Sequence, residues 1–173
     1  SQVINQEQIN FPVSDLTSYQ ELIEQQGLNS QTNVISLDKI IVDSKLSERT
    51  GFSNSQQVWR VVRQRVVDSC ASVIDIDYLD ASLVPQLNRS IAECSIFDYI
   101  ENQLNLSISH AFKEITIDNA TDQDKILIDL GKDQHVVCVR SKVYLNNGKQ
   151  FQFTESRHKL EKFKFVDYAK RHH

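Results

Sequence analysis

Residues Gln57–Leu79 read QVWRVVRQRVVDSCASVIDIDYL, and this stretch decides the fold class. Gln57–Val67 and Ser72–Leu79 are dense in Val and Ile, which suit a pleated, half-buried strand. The short polar break between them joins two neighbouring strands. A strand sends successive side chains to opposite faces, so Arg63 and Arg65 share a face with Trp59, Val61 and Val67. Two guanidinium groups side by side on a mostly apolar face repel one another and call for an anion between them. That anion is a bound phosphate-like group, which arginine grips bidentately, or a pair of carboxylates on neighbouring strands. A solvated sheet face is the remaining reading.

Further β-rich runs lie on either side: Asn33–Val42, Ser107–Ile117, His135–Leu145 and Lys149–His158, with a short edge run at Phe163–Val166. Asn146-Asn147-Gly148 between two of them is a hairpin signal. Gly27 closes the helical run Leu16–Gln26, Gly51 closes a short one after Asp43, and Gly131 closes Thr121–Leu130. Ser18 with Glu21 has capping-box spacing, and Thr17 with Gln20 offers the same one residue earlier. Ser95 with Asp98 is a weaker variant, and Asp43 caps the short helix that follows it.

The order of elements is helix, strand, helix, strand, strand, helix, strand, helix, strand, strand. Ile40–Asp43, a short helix, a glycine and two strands are echoed by Ile115–Asp118, a helix, Gly131 and two strands. This predicts an α+β domain with an internal pseudo-repeat and a mixed, largely antiparallel sheet.

The 173 residues suit one domain, and 40% hydrophobic content is enough for a core. No apolar run approaches the ~20 residues that cross a bilayer, and no signal-peptide pattern opens the chain, so a cytoplasmic protein is expected. The net charge of −4, with no basic helix, argues against direct nucleic-acid binding by these residues. Cys70, Cys94 and Cys138 have neither metal nor redox spacing. The sequence holds no Met, so the chain is expected to begin inside a longer gene product. Residues 1–10, polar and Gln/Asn-rich, read as a linker remnant ahead of a domain spanning 11–171; Ser1 and His172-His173 read as tag-derived.

Candidate chemistry is sparse. Helix N-termini at Ser18 and Ser95 offer unpaired N–H groups and a hydroxyl to an anion, although plain capping is their usual task. Phe151, Phe153 and Glu155 alternate onto one face, so Glu155 ends the strand, meets a polar ligand, or pairs with Arg157, Arg140 or Lys142. Asp75 holds the corresponding place in the first half. His158 is a lone histidine at a strand end. No metal cluster, Gly-rich phosphate loop or nucleophile elbow is present, and no cofactor is expected.

These residues carry a resemblance. Gln57–Leu79, with its Arg-x-Arg pair, turn and Tyr-Leu strand end, resembles the opening strand pair of the UTRA effector domain of GntR-type regulators. Ser95–Ile100 resembles that family's Ser-Leu-Tyr helix start, and Leu16–Tyr19 its Leu-Thr-Ser-Phe start. Phe151–Arg171, FQFTESRHKLEKFKFVDYAKR, is similar to the branch that represses trehalose operons in Gram-positive bacteria. The resemblance runs from Phe11 to Lys170.

It implies a chorismate-lyase-like fold, a homodimer, an N-terminal winged helix-turn-helix outside this sequence that contacts operator DNA, and trehalose 6-phosphate as inducer. It implies phosphate contacts from Ser18, Arg63, Arg65 and Ser95, and sugar contacts from Asp75, Phe97, Glu155 and His158. The chain departs from the family at Asp75, usually Glu, and at Phe97, usually Tyr. The alternatives are response to another sugar phosphate, a dimerisation module without a ligand, or an enzyme acting on a small anion. The enzyme would need an acid or base from Asp75, Glu155 or His158.

Overall fold

The computed structural model describes residues 8–11 and 16–172. In chain order it contains β1 (Ile9–Asn10), α1 (Tyr19–Gln26), β2 (Ser30–Ile41), α2 (Ser44–Thr50), β3 (Gln57–Val67), β4 (Cys70–Asp80), α3 (Arg89–Glu93) and α4 (Ile96–Asp98), which continues as a π-turn through Gln103. There follow β5 (Ile108–Asn119), α5 (Asp122–Leu127), β6 (His135–Leu145), β7 (Gln150–His158) and β8 (Phe163–Lys164).

The caps set the helices. Ser18 Oγ accepts from the Glu21 amide at 3.2 Å, so of the two candidate starts the chain uses Ser18. Asp43 accepts from the Leu46 amide at 2.8 Å. Thr121 and Asp124 close a full capping box on α5. That helix stops at Leu127, short of the expected Leu130, because Ile128 turns extended and buries its side chain together with Leu130. Gly131, at φ 60°, therefore turns the chain toward β6 and caps no helix. α3, started by Asn88 on the Ile91 amide at 2.9 Å, has no counterpart among the sequence expectations.

Six strands pair in the order β2-β3-β4-β7-β6-β5, every pair antiparallel. The order is a palindrome about β4 and β7, as a duplicated helix-bearing unit requires. Hydrophobic clusters fill both faces. One, around Val61, Leu79, Ile100 and Phe151, lies beneath α3 and α4. The other, around Val62, Ile74, Ile76 and Phe153, lies beneath α2 and α5. Phe151 and Phe153 separate because the register slips between Val143 and Tyr144, leaving Phe151 as an extra residue that bulges to the first face. The expectation that they share a face fails for that reason.

Ile9 and Asn10, read from the sequence as linker, instead pair in parallel with Phe163 and Lys164. Ile9 is fully buried, and Gln26 holds both the Asn10 amide (3.0 Å) and carbonyl (2.8 Å). Apolar burial outweighs the polar composition of this segment. Residues 1–7 of the expected linker and His173 lie outside the described residues.

Gly51 sits at φ 86°, and a Cβ there would meet Gln150 Oε1 at 2.9 Å. Gly51→Ala is expected to cost about 1–2 kcal/mol in urea unfolding, from the left-handed backbone alone.

Candidate functional site

Strand pairing sets side chains of neighbouring strands side by side on one face. One row runs Lys113, Ser141, Thr154, Asp77, Val61; the next holds Val139, Ser156, Asp75 and Arg63; a third holds His158, Val73 and Arg65. Ser18, Tyr19 and Leu22 from α1 and Ser95, Ile96 and Phe97 from α4 roof these rows, enclosing a cavity of ≈ 150 Å³.

Each arginine has a carboxylate. Arg63 Nη2 donates to Asp77 at 2.6 Å, and Arg65 Nε donates to Asp75 at 2.7 Å. The pairs run diagonally between β3 and β4, so of the anions weighed from the sequence, neighbouring-strand carboxylates are in place. Burial raises the Asp75 pKa, but Arg65 and Arg63 outweigh it, and Ser156 Oγ adds a hydrogen bond; the net shift is downward. Asp77 moves upward, from burial first, with Arg63 opposing and Asp75 reinforcing. Tyr19 lays its ring 4.1 Å from the Arg65 guanidinium and shares a 2.6 Å hydrogen bond with Ser30 Oγ.

Among the described residues, three polar atoms on the lining side chains find no partner: Arg63 Nε, Gln152 Oε1 and His158 Nδ1. Arg63, Gln152 and His158 are 6%, 2% and 1% exposed. The His158 ring packs edge-on against Phe11 at 4.4 Å and near Phe163 at 5.2 Å. Burial lowers its pKa to about 4, Asp75 opposing weakly. The neutral form is therefore favoured in the fold, and stability is lost as pH falls from about 6.5 toward 4. His158→Gln is expected to flatten this dependence, which amounts to roughly 3 kcal/mol across that window by linkage. Urea midpoints at pH 7 and pH 4.5 check it.

Of the eight residues singled out from the sequence, seven line this cavity: Ser18, Arg63, Arg65, Asp75, Ser95, Phe97 and His158. Ser18 and Ser95 also cap their helices, each from 3.2 Å. Glu155 does not join them. It pairs in register with Ile76 and Arg140, on the opposite face, and accepts from Arg49 Nη2 at 2.7 Å and Arg140 Nε at 3.0 Å. Its sugar-contact assignment is corrected accordingly: Ser156, one residue on, is what faces Asp75.

That opposite face carries a wider groove of ≈ 820 Å³. Its Arg140 binds Asp118 at 2.6 Å, and Arg157 binds Asp124 at 2.9 Å, so its charges largely answer one another. We therefore place the candidate site in the smaller cavity, where buried polar atoms lack partners. Sequence reasoning missed Asp77, Gln152, Thr154, Ser156 and Lys113 there. A signal existed for β7: Gln150, Gln152, Thr154, Ser156 and His158 are polar at every second position.

A family model described as the UTRA domain matches residues 25–164. The chain belongs to the UTRA domain family. Over 171 residues it is 40% identical to the HTH-type transcriptional regulator TreR of Bacillus subtilis, covering 99% of this chain and 72% of that relative. It is 25% identical to the HTH-type transcriptional repressor NagR of Bacillus subtilis over 156 residues, 90% of this chain and 64% of the repressor. The solved effector-binding domain of the Bacillus subtilis trehalose repressor superposes with a TM-score of 0.75 at 39% identity, covering 83% of this chain and 99% of that one. This UTRA domain is thus the effector-binding domain of a TreR-like transcriptional regulator. Among its described residues, no helix is long and apolar enough to cross a membrane.

Proposed function

We propose that this domain is the sensor of a cytoplasmic, dimeric repressor of trehalose utilisation and binds trehalose 6-phosphate as inducer without catalysing a reaction. The observation that carries a polar ligand is the set of unpartnered atoms Arg63 Nε, Gln152 Oε1 and His158 Nδ1 around one cavity. Each buried, unsatisfied group costs about 1–3 kcal/mol, which a ligand rich in hydroxyls and phosphate oxygens relieves. The identity to TreR supports the choice of sugar.

In this reading Ser18, Arg63, Arg65 and Ser95 hold the phosphate, while Asp75, Phe97, His158 and Gln152 hold the sugar. Asp75 and Asp77, tied to arginines, suit hydrogen bonding to hydroxyls better than proton transfer.

The cavity of ≈ 150 Å³ is smaller than the roughly 300–1,000 Å³ of sites that enclose ligands of drug size. A disaccharide enters only if the α1 and α4 roof moves outward. Phe11 lines the same cavity and leads from β1, so that movement reaches the chain upstream. Binding would shift the equilibrium between orientations of an N-terminal DNA-binding domain. The test is operator affinity of the full-length regulator. Saturating trehalose 6-phosphate is expected to weaken it at least tenfold, and unchanged affinity would reject the reading.

A further inference from the structure

We propose that Tyr19 is a positioning residue for the bound phosphate: its ring holds the Arg65 guanidinium in one plane, and its hydroxyl, tied to Ser30, holds the ring. The proposal rests on the sugar-phosphate reading above, in which Arg65 meets the phosphate, and deepens it.

Arg65 is 4% exposed, and its charged end is restrained in two ways. Its Nε donates to Asp75 Oδ2 on β4 at 2.7 Å, and its Nη1 donates to Thr32 Oγ1 on β2 at 2.9 Å. The N–H groups of a guanidinium lie in its own plane. These two bonds therefore fix where the group sits but let it hinge about the line joining the two acceptors. The Tyr19 ring, its centroid 4.1 Å from the guanidinium carbon, covers one face and blocks that hinge. With Nε and Nη1 engaged, Nη2 is the nitrogen left to meet an anion, and its aim follows the plane. Burial first, and the neighbouring Arg63 second, pull the Arg65 pKa down, with Asp75 opposing. The negative face of an aromatic ring favours the charged form in such a place.

The ring is held in turn. Tyr19 Oη and Ser30 Oγ share a hydrogen bond of 2.6 Å. Ser30 and Thr32 alternate onto one face of β2, and Thr32 pairs in register with Arg65. One strand thus fixes both the ring and the guanidinium beneath it. Tyr19 directly follows Ser18, which caps α1 and lines the same cavity. Fixing Tyr19 therefore keeps Ser18 and Arg65 together at the phosphate end. The first turn of α1 is pinned above β2 and β3, and the outward movement of the roof pivots about this corner.

The test is calorimetric titration with trehalose 6-phosphate of wild type, Tyr19→Leu, Tyr19→Phe, Arg65→Gln and the Tyr19→Leu/Arg65→Gln double variant, with thermal unfolding to check each fold. Tyr19→Leu is expected to bind about tenfold more weakly, the size of a desolvated cation–ring contact. Tyr19→Phe keeps the ring and is expected to stay within about threefold of wild type, the loss of one neutral hydrogen bond. In the Arg65→Gln background, Tyr19→Leu should change affinity by less than about twofold, because nothing is left to position. Additive losses, full affinity in Tyr19→Leu, or a phenylalanine variant as weak as the leucine one would overturn the role. A second reading needs no ligand. The Nε proton of Arg65 should exchange with water about tenfold faster in Tyr19→Leu than in wild type, because the guanidinium opens more often. Unchanged exchange overturns the role as well. If wild type gives no heat with trehalose 6-phosphate, the assigned inducer falls, and inorganic phosphate becomes the probe for the same variants. Phosphate that does not bind wild type would end the positioning role too.

Discussion

Arg157→Met is expected to destabilise the domain by about 3–5 kcal/mol, a large part of the roughly 5–15 kcal/mol that holds such a domain folded. Arg157 Nε donates to both Asp124 oxygens at 2.9 and 3.0 Å, and its Nη2 adds a third bond at 2.9 Å. It also reaches the Asn119 carbonyl at 3.2 Å. Asp124 is fully buried, and its second task is to hold the Thr121 amide at the start of α5. Methionine fills much of the volume but leaves that carboxylate without its cation, and an unpaired buried charge is the costly outcome. Adding Asp124→Asn removes the stranded charge. The double variant should therefore lose clearly less than the sum of the two single losses in urea unfolding. Additive losses would mean that the pair is not coupled as the geometry requires.

Arg63→Ala is expected to lower affinity for trehalose 6-phosphate about 100-fold, while weak binding of unphosphorylated trehalose changes little. One or two charge-assisted hydrogen bonds are lost, at roughly 1.5–3 kcal/mol each. The fold should tolerate the change near neutral pH, because the Asp77 carboxyl, already shifted upward by burial, takes up a proton more readily once Arg63 is gone. Arg63→Lys separates charge from shape. It restores a cation but not the planar fork, so a loss nearly as large as that of alanine is expected. Full affinity in the lysine variant would mean that charge alone is read there.

The features legible in the sequence share a physical cause. β3 was bounded correctly because dense β-branched residues run up to a polar turn, and local chemistry suffices to set such limits. The phase of Arg63 and Arg65 followed from the two-residue period alone. The helix starts at Ser18, Asp43 and Ser95 were legible because a cap is a local hydrogen bond.

What was missed depends on pairing between distant segments. The period within β7 puts Phe153 and Glu155 on one face, but nothing local says which face meets Arg63. That is set by Ser156 lying opposite Asp75, and a slip of one residue exchanges the faces. The bulge at Phe151 is likewise a property of the β6–β7 register. Ile9 escaped because its partner, Phe163, lies at the other end of the chain.

The most direct measurement is calorimetric titration of this domain with trehalose 6-phosphate, trehalose and glucose 6-phosphate. Trehalose 6-phosphate should bind at micromolar affinity or tighter, about 8 kcal/mol, and more tightly than either of the others. Absence of heat with trehalose 6-phosphate, or tighter binding of glucose 6-phosphate, would contradict the assigned effector.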